Sequence, residues 1–283
     1  MASVSVKVPA TTANLGPGYD CMGIALQIYN TVTVRKGPGG EPPHPMVEEA
    51  ASAFFSTSGK RPFEFAWKIE GEVPKSRGLG SSVTLRLGIL HGLNDLAGSP
   101  LDRDQLFELC AQLEGHPDNA GPAAYGGFTL TAPGCALQRY RVETGIEFVL
   151  LIPDFEILTD DARRVLPESI PFRDAVYSAA HAAVVAGAFA SRDYARLAGA
   201  FGDRIHQPAR SHFVPFLDKV ISAGMAAGAL GGWLSGSGST IACLTLGDPE
   251  RVAAAMLSAS GLQHATAFSA RADNAGVRVT NAG

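Results

Sequence analysis

The stretch Pro74-Lys75-Ser76-Arg77-Gly78-Leu79-Gly80-Ser81-Ser82 decides how the rest of the chain is read. Two glycines and two serines stand where a loop runs into a helix. Behind them Leu85, Ile89, Leu93 and Leu96 recur at helical spacing until Gly98 ends the pattern. Such a junction clusters free backbone N–H groups at the positive end of a helix dipole, an anion site whose commonest occupant is phosphate. Glycine lets the backbone close on phosphate oxygens without a Cβ in the way. The serine hydroxyls add hydrogen bonds or a ligand for Mg²⁺, and Ser81 or Ser82 is the expected N-cap. No Walker A pattern is present, so this is not a P-loop of the usual type. Taken alone, the string reads equally well as a Ser-capped helix after a glycine turn.

Working outward, Val4, Val6 and Val8 alternate and predict an opening strand that ends at Pro9. A turn at 14–18 follows, then strand-like sequence to Val34 and a Gly- and Pro-rich loop over 36–45. From Met46 the residues Val47, Ala50, Ala51, Phe54 and Phe55 share one helical face, and Gly59 stops it. A strand is expected over 63–69. Asp102 and Gln105 have the spacing of a capping box for a helix reaching about Leu113. Further strands are expected over 128–131 and 148–152. Residues 160–228 are mainly helical and Ala-rich; a strand over 240–244, a helix over 249–260 and strands over 265–269 and 277–279 close the chain. Strands and helices alternate without a regular βαβ rhythm, which predicts an α+β fold with two domains, 1–148 and 149–283.

The chain has 283 residues, long enough for two compact domains, and its 46% hydrophobic and 18% charged content is that of a globular protein. A formal charge of −4 argues against a nucleic-acid partner. Cys21, Cys110, Cys135 and Cys243 form no CxxC pair, so neither a zinc site nor a disulfide framework is expected, and free thiols fit a reducing cytosol. Residues 3–9 read as a strand and not a signal peptide. No apolar run reaches the roughly 20 residues that span a bilayer. The expectation is a cytoplasmic protein with no membrane contact.

Three more segments carry chemistry. Glu114-Gly115-His116-Pro117-Asp118-Asn119 packs two carboxylates, an imidazole and an amide into one helix end, and Glu114 suits a Mg²⁺ ligand. Its bland reading is a polar helix boundary. Ser235-Gly236-Ser237-Gly238-Ser239-Thr240 is a glycine turn before a strand, able to approach another loop or a phosphate closely. Asn14 and Asp20 bracket Leu15-Gly16-Pro17-Gly18-Tyr19 and can present polar groups to a ligand, or simply form the turn. Thr159 and Arg163 are four apart at a helix start, and Arg210 closes His206-Gln207-Pro208-Ala209-Arg210. Arginine binds carboxylates bidentately, although most single arginines sit on solvated surfaces.

In this order the segments resemble the GHMP kinases, named for galactokinase, homoserine kinase, mevalonate kinase and phosphomevalonate kinase. Residues 74–82 are similar to the family's ATP-binding motif PxxxGLGSS, and 235–240 to its third motif, SGSGPT in the homoserine kinase branch. Residues 8–20 are close to that branch's VPATSANLGPGFD, residues 114–119 match its EGHPDN, and 152–163 resemble its segment ending in T-x-x-A-R. The resemblance implies an N-terminal domain like ribosomal protein S5 and a C-terminal ferredoxin-like domain. It implies ATP and Mg²⁺ as cofactors, and phosphorylation of the hydroxyl of L-homoserine on the route to threonine. Ser82 and Glu114 would take the metal. Pro74, Lys75, Ser76, Arg77, Gly78, Leu79, Gly80, Ser81 and Ser82, with Gly236 and Gly238, would form the nucleotide site. Asn14, Asp20, Asn119, Thr159, Arg163 and Arg210 would surround the amino acid, with Asp20 facing its ammonium and the two arginines its carboxylate. Asp118 is a candidate base, and a homodimer is the family habit.

The sequence departs from the pattern at three places. Ser239 replaces a proline; Val83, Thr84, Leu85 and Arg86 follow Ser82 where small alanines are common; and Pro43-His44-Pro45-Met46 stands for an Asn-containing stretch that helps hold the nucleoside. A GHMP kinase for another small alcohol, such as threonine or a mevalonate derivative, and a catalytically silent relative that only binds a metabolite are the rival readings.

Overall fold

A computed structural model describes residues 2–281. The chain opens with two long antiparallel strands, β1 (Ser3–Ala13) and β2 (Met22–Lys36), whose register shifts between Pro9 and Ala10. The shift has a physical purpose. Before it, Val4, Val6 and Val8 face a core shared with helices; after it, Ala10 lies in a second core on the opposite side, with Ile24, Leu26 and Ile28 of β2. A strand alternates sides strictly, so only such an irregularity lets residues of one parity change face. β1 therefore runs past Pro9, where the sequence pattern ends, to Ala13.

Helix α1 (Pro45–Ser58) stops at Gly59 in the left-handed conformation, as expected for a glycine C-cap. β3 (Phe65–Gly71) pairs with β2. Helix α2 (Ser81–Leu96) is buried along most of its length, and α3 (Arg103–Glu114) carries the predicted capping box, Asp102 and Gln105 each bonding the other's backbone. Such a box contributes about 1 kcal/mol. A short helix α4 (Ala120–Tyr125) and strands β4 (Phe128–Leu130) and β5 (Gln138–Tyr140) complete the first half. The first sheet runs β10-β1-β2-β4-β5 with β3 also on β2, and its outer strand β10 (Arg278–Asn281) comes from the far end of the chain.

The second sheet runs β7-β8-β6-β9, all antiparallel, from β6 (Glu147–Pro153), β7 (Gly231–Leu234), β8 (Ile241–Thr245) and β9 (Ala265–Ala270). Helices α5 (Thr159–Arg164), α6 (Phe172–Ser191), α7 (Gln207–Arg210) and α8 (Leu217–Ala226) lie between β6 and β7, and α9 (Pro249–Ser260) between β8 and β9. This is a β-α-β-β-α-β order, the ferredoxin-like arrangement. Leu15, Ile24, Phe128, Phe148, Phe189 and Trp233 fill the core between the sheets, while Val149, Leu151, Val220, Ile241 and Met256 pack the outer face of the second sheet under α8 and α9. Strands β5 and β7 and helix α4 are too short or too apolar throughout to leave a periodic signal. No described helix is long and apolar enough to cross a membrane.

Candidate active site

The glycine loop is clamped between the end of β1 and the turn between β7 and β8. The Thr11 amide donates to Leu79 O (3.1 Å), the Thr240 amide to Arg77 O (3.2 Å), and the Ser235 hydroxyl to Gly78 O (2.7 Å). There is no room for a side chain: a Cβ on Gly78 would stand 2.0 Å from Ser235 O, and one on Gly80 2.2 Å from Thr11 Oγ1. Both glycines have positive φ. The N-cap of α2 is Gly80, at φ 69°, with no side-chain cap, so neither Ser81 nor Ser82 caps the helix as expected. The left-handed turn that only glycine takes readily points the loop into the helix, leaving the first-turn amides of Ser81, Ser82 and Val83 without intrahelical acceptors.

Freed from capping, the Ser82 hydroxyl donates to Glu114 Oε2 at 2.8 Å, joining the start of α2 to the last residue of α3. Arg86, one turn further along α2, donates to Glu114 Oε1 (2.6 Å) and to Glu49 Oε2 of α1 (2.7 Å). Burial alone would lower the Arg86 pKa; its two carboxylate partners outweigh that and raise it.

Not every residue of the predicted nucleotide site faces a ligand. The Arg77 guanidinium is tied to Pro153 O (3.0 Å) and to Glu156 and Asp154, so Arg77 offers the loop only its backbone. The Lys75 side chain makes no hydrogen bond or ion pair among the described residues, and Ser76 adopts positive φ. Gly236 and Gly238 use their N–H groups internally, on Ala13 O (3.2 Å) and Ser235 O (2.8 Å). Their part is to brace the loop.

Beside the loop lies a charged recess. The Thr11 hydroxyl donates to Asn119 Oδ1 (2.7 Å), and the Asn119 amide and the His116 imidazole both sit on Asp118 Oδ1, at 2.9 and 2.6 Å. Asp20, His116 and Asp118 bring ligand-type atoms within 4.8 Å of one another. Burial depresses the His116 pKa, but the hydrogen bond and charge of Asp118 more than reverse it, so the net shift is upward. Asp20 pairs with Arg163 of α5 at 2.8 Å. The Tyr19 ring lies 5.7 Å from the Arg163 guanidinium and 5.2 Å from that of Arg210, and its buried hydroxyl has no hydrogen-bond partner among the described residues. Burial, then Asp118 and Asp20, push the Cys21 thiol up to about 11, which removes it as a nucleophile.

Two predicted residues are committed to architecture. Asn14, buried at positive φ, donates to Gly236 O (3.0 Å) and accepts from the Asp20 amide (3.0 Å), fixing the turn that carries Asp20. Arg210 donates to Ala162 O (2.9 Å) and Gly236 O (3.1 Å) and contacts His206 Nδ1 (3.2 Å). His206, held neutral at a pKa of about 4 by burial, can only accept on Nδ1, so its Nε2–H donates to Gly16 O at 2.8 Å. Thr159 sits exposed at the first residue of α5, its side chain without a hydrogen bond among the described residues, one turn from Arg163. Sequence reasoning assigned no site role to Thr11, Tyr19, Glu49, Arg86, His116 or His206. For Arg86 the departure from the small residues usual after Ser82 was the available signal; Tyr19 and His116 are sequence neighbours of Asp20 and Asp118, and Thr11, Glu49 and His206 meet the site through tertiary contacts.

This chain, with a glycine loop and carboxylate at one helix mouth and a charged recess beside it, is matched by the GHMP kinases N terminal domain over residues 45–127 and the GHMP kinases C terminal domain over 173–261. The chain belongs to the GHMP kinase family, enzymes that transfer a phosphoryl group from ATP. Within it the similarity runs to homoserine kinases. A homoserine kinase of Caldicellulosiruptor saccharolyticus is 37% identical over 257 residues, 85% of this chain and 83% of that protein. One from a Synechococcus strain is 39% identical over 289 aligned positions, covering 95% and 94%. The crystal structure of homoserine kinase from Cytophaga hutchinsonii superposes with a TM-score of 0.89 over 99% of this chain and 98% of that one, at 24% identity, and so speaks for the fold.

Proposed function

We propose that this chain transfers the γ-phosphoryl group of ATP to the side-chain hydroxyl of L-homoserine, giving O-phospho-L-homoserine. The observation that carries the reading is the Asp20–Arg163 pair, with Tyr19 and Arg210 against it, adjoining the glycine loop through Asn119, Thr11 and Gly80. An amino acid brings an ammonium and a carboxylate of its own. Asp20, near His116 and Asp118, suits the ammonium, and the guanidinium released from Asp20 suits the carboxylate. The hydroxyl is then held toward the first turn of α2, where the amides of Ser81, Ser82 and Val83 grip the phosphates.

The donor set at Ser82 and Glu114, a hydroxyl and a carboxylate oxygen 2.8 Å apart, fits a small hard dication that keeps water and phosphate as its other ligands. Mg²⁺ bound there supplies charge neutralisation to the phosphates. The protein's own work is positioning: phosphoryl transfer passes through a loose transition state that asks little of a base. Asp118 is read accordingly. Its Oδ1 already accepts from His116, the Asn119 amide and, at 3.3 Å, the Asn119 side chain, which suits an anchor of this turn better than a general base.

The same reading divides the chain into units 1–148 and 149–283, sets the enzyme in the cytoplasm, excludes nucleic acid from its partners and includes a homodimer. A coupled ADP-release assay tests the function. Turnover with L-homoserine well above that with L-threonine, mevalonate or galactose is expected; equal or preferred turnover of any of these removes the assignment.

A further inference from the structure

We infer that Arg86 is a positioning residue that makes uptake of the divalent cation depend on uptake of the nucleotide. The inference rests on the kinase reading above and concerns a group to which that reading gives no task. Ser82 and Arg86 are four residues apart on α2 and so share a face. Between them they occupy both oxygens of Glu114, Ser82 on Oε2 at 2.8 Å and Arg86 on Oε1 at 2.6 Å. The Arg86 and Glu114 side chains are 10% and 6% exposed, whereas Glu49, which takes the other Arg86 nitrogen at 2.7 Å, is 52% exposed.

The consequence is electrostatic. A carboxylate in water binds a dication with its whole charge. Glu114 offers a charge already largely offset by a guanidinium on its other oxygen, in surroundings where charges are poorly screened. A cation seated between Ser82 and Oε2 also feels the repulsion of Arg86 across one carboxylate. Glu49 relieves little of this, because its charge is shared with water. The protein alone is therefore a poor metal site, and the missing negative charge must come with the phosphates. Glu49 sets how strongly Arg86 leans on Glu114.

Mn²⁺ titrations followed by electron paramagnetic resonance, with and without the non-hydrolysable analogue AMP-PNP, test the inference on the intact chain. The unmodified protein should take up Mn²⁺ weakly alone and far more tightly with the analogue. Arg86→Met should tighten Mn²⁺ alone by about tenfold and shrink the gain from the nucleotide. Glu49→Gln, which leaves Arg86 wholly to Glu114, should loosen Mn²⁺ by about two- to threefold. The double variant should match Arg86→Met, since Glu49 acts only through Arg86. An arginine that merely braced three helices would lower the melting temperature on removal without tightening the metal. Unchanged or weaker Mn²⁺ binding by folded Arg86→Met, or a Glu49→Gln effect that survives without Arg86, overturns the inference. Should Arg86→Met fail to fold, Glu49→Gln at its exposed position decides alone: tighter or unchanged Mn²⁺ binding overturns the idea. If the unmodified protein binds no Mn²⁺·AMP-PNP, the kinase reading itself has failed; intact nucleotide binding with unaltered metal affinities sinks only the part given to Arg86.

Discussion

Asp20 and Arg163 are separated by 143 residues of chain and meet at 2.8 Å, joining the turn after β1 to helix α5 across the mouth of the recess. Each partner is about one-third exposed, so water competes for the pair and a charged ligand can insert into it. Arg163→Ala should raise the KM for the amino acid by about 10²-fold with a smaller change in the KM for ATP. Asp20→Asn should do the same, and the double variant should cost less than the product of the two. Steady-state kinetics on the three proteins check this; strictly multiplicative losses would mean that the residues act separately.

Glu114→Gln keeps an acceptor for the Ser82 hydroxyl and removes the charge. Turnover should fall by about 10²-fold or more, and the Mg²⁺ concentration needed for half-maximal rate should rise. Ser82→Ala should act in the same direction with a smaller loss. A Glu114→Gln enzyme with ordinary turnover at low Mg²⁺ would place the metal elsewhere.

Asp118→Asn should lower kcat by only a few-fold, because phosphoryl transfer here relies on geometry. The side-chain oxygen of the variant can still accept from the Asn119 amide, while the His116 pKa should drop below its ordinary value, because the burial that Asp118 offsets remains; NMR titration of the ring reads this. A loss of about 10³-fold in a normally folded variant would instead make Asp118 the base.

The glycine loop can be tested by a matched pair. Gly78→Ala forces a Cβ to 2.0 Å from Ser235 O at a positive φ, whereas Gly59 has positive φ but, among the described residues, nothing within 4 Å of an added Cβ. Gly59→Ala should cost about 1 kcal/mol, from backbone conformation alone. Gly78→Ala should cost several times as much and abolish nucleotide-induced thermal stabilisation. Equal costs at the two positions would show that the loop has slack.

His91 and His206 both have pKa values lowered to about 4, chiefly by burial. The unfolded chain takes up protons below about pH 6.5 that the fold excludes, so stability should fall from there toward pH 4, by up to about 3 kcal/mol per histidine. His116, shifted upward, contributes with the opposite sign: its stabilisation is full at low pH and fades as the pH rises through its folded value. His91 lies outside the recess and its Nε2 has no hydrogen-bond partner among the described residues, so His91→Leu should flatten the acid limb of a plot of Tm against pH. An unaltered limb would remove His91 as a cause.

Local chemistry was legible in the sequence and long-range chemistry was not. The capping box at Asp102 and Gln105, the stop at Gly59 and the loop-to-helix junction at Gly78 are each written within a few residues, because the groups that satisfy one another are neighbours. The same locality misled at Ser81: serine before an apolar run is the usual cap, yet here the loop's clamp on Thr11 and Ser235 forces a left-handed Gly80 into that position. Asn14 and Arg210 lie far apart in the chain, and no spacing tells that both donate to Gly236 O. Arg86 stood out only as a misfit among residues expected to be small; its partners lie on two other helices.

Strand β10 adds one more implication, for synthesis. Its pairing with β1, in the register Val4↔Asn281 to Lys7↔Arg278, means that a ribosome must pass residue 278 before β1 gains its outer neighbour. Until then the growing polypeptide carries an unguarded hydrogen-bonding edge of the kind that recruits foreign strands. Clipping residues 278–281 should leave that edge open for good, turning a matter of translation timing into a lasting tendency to aggregate.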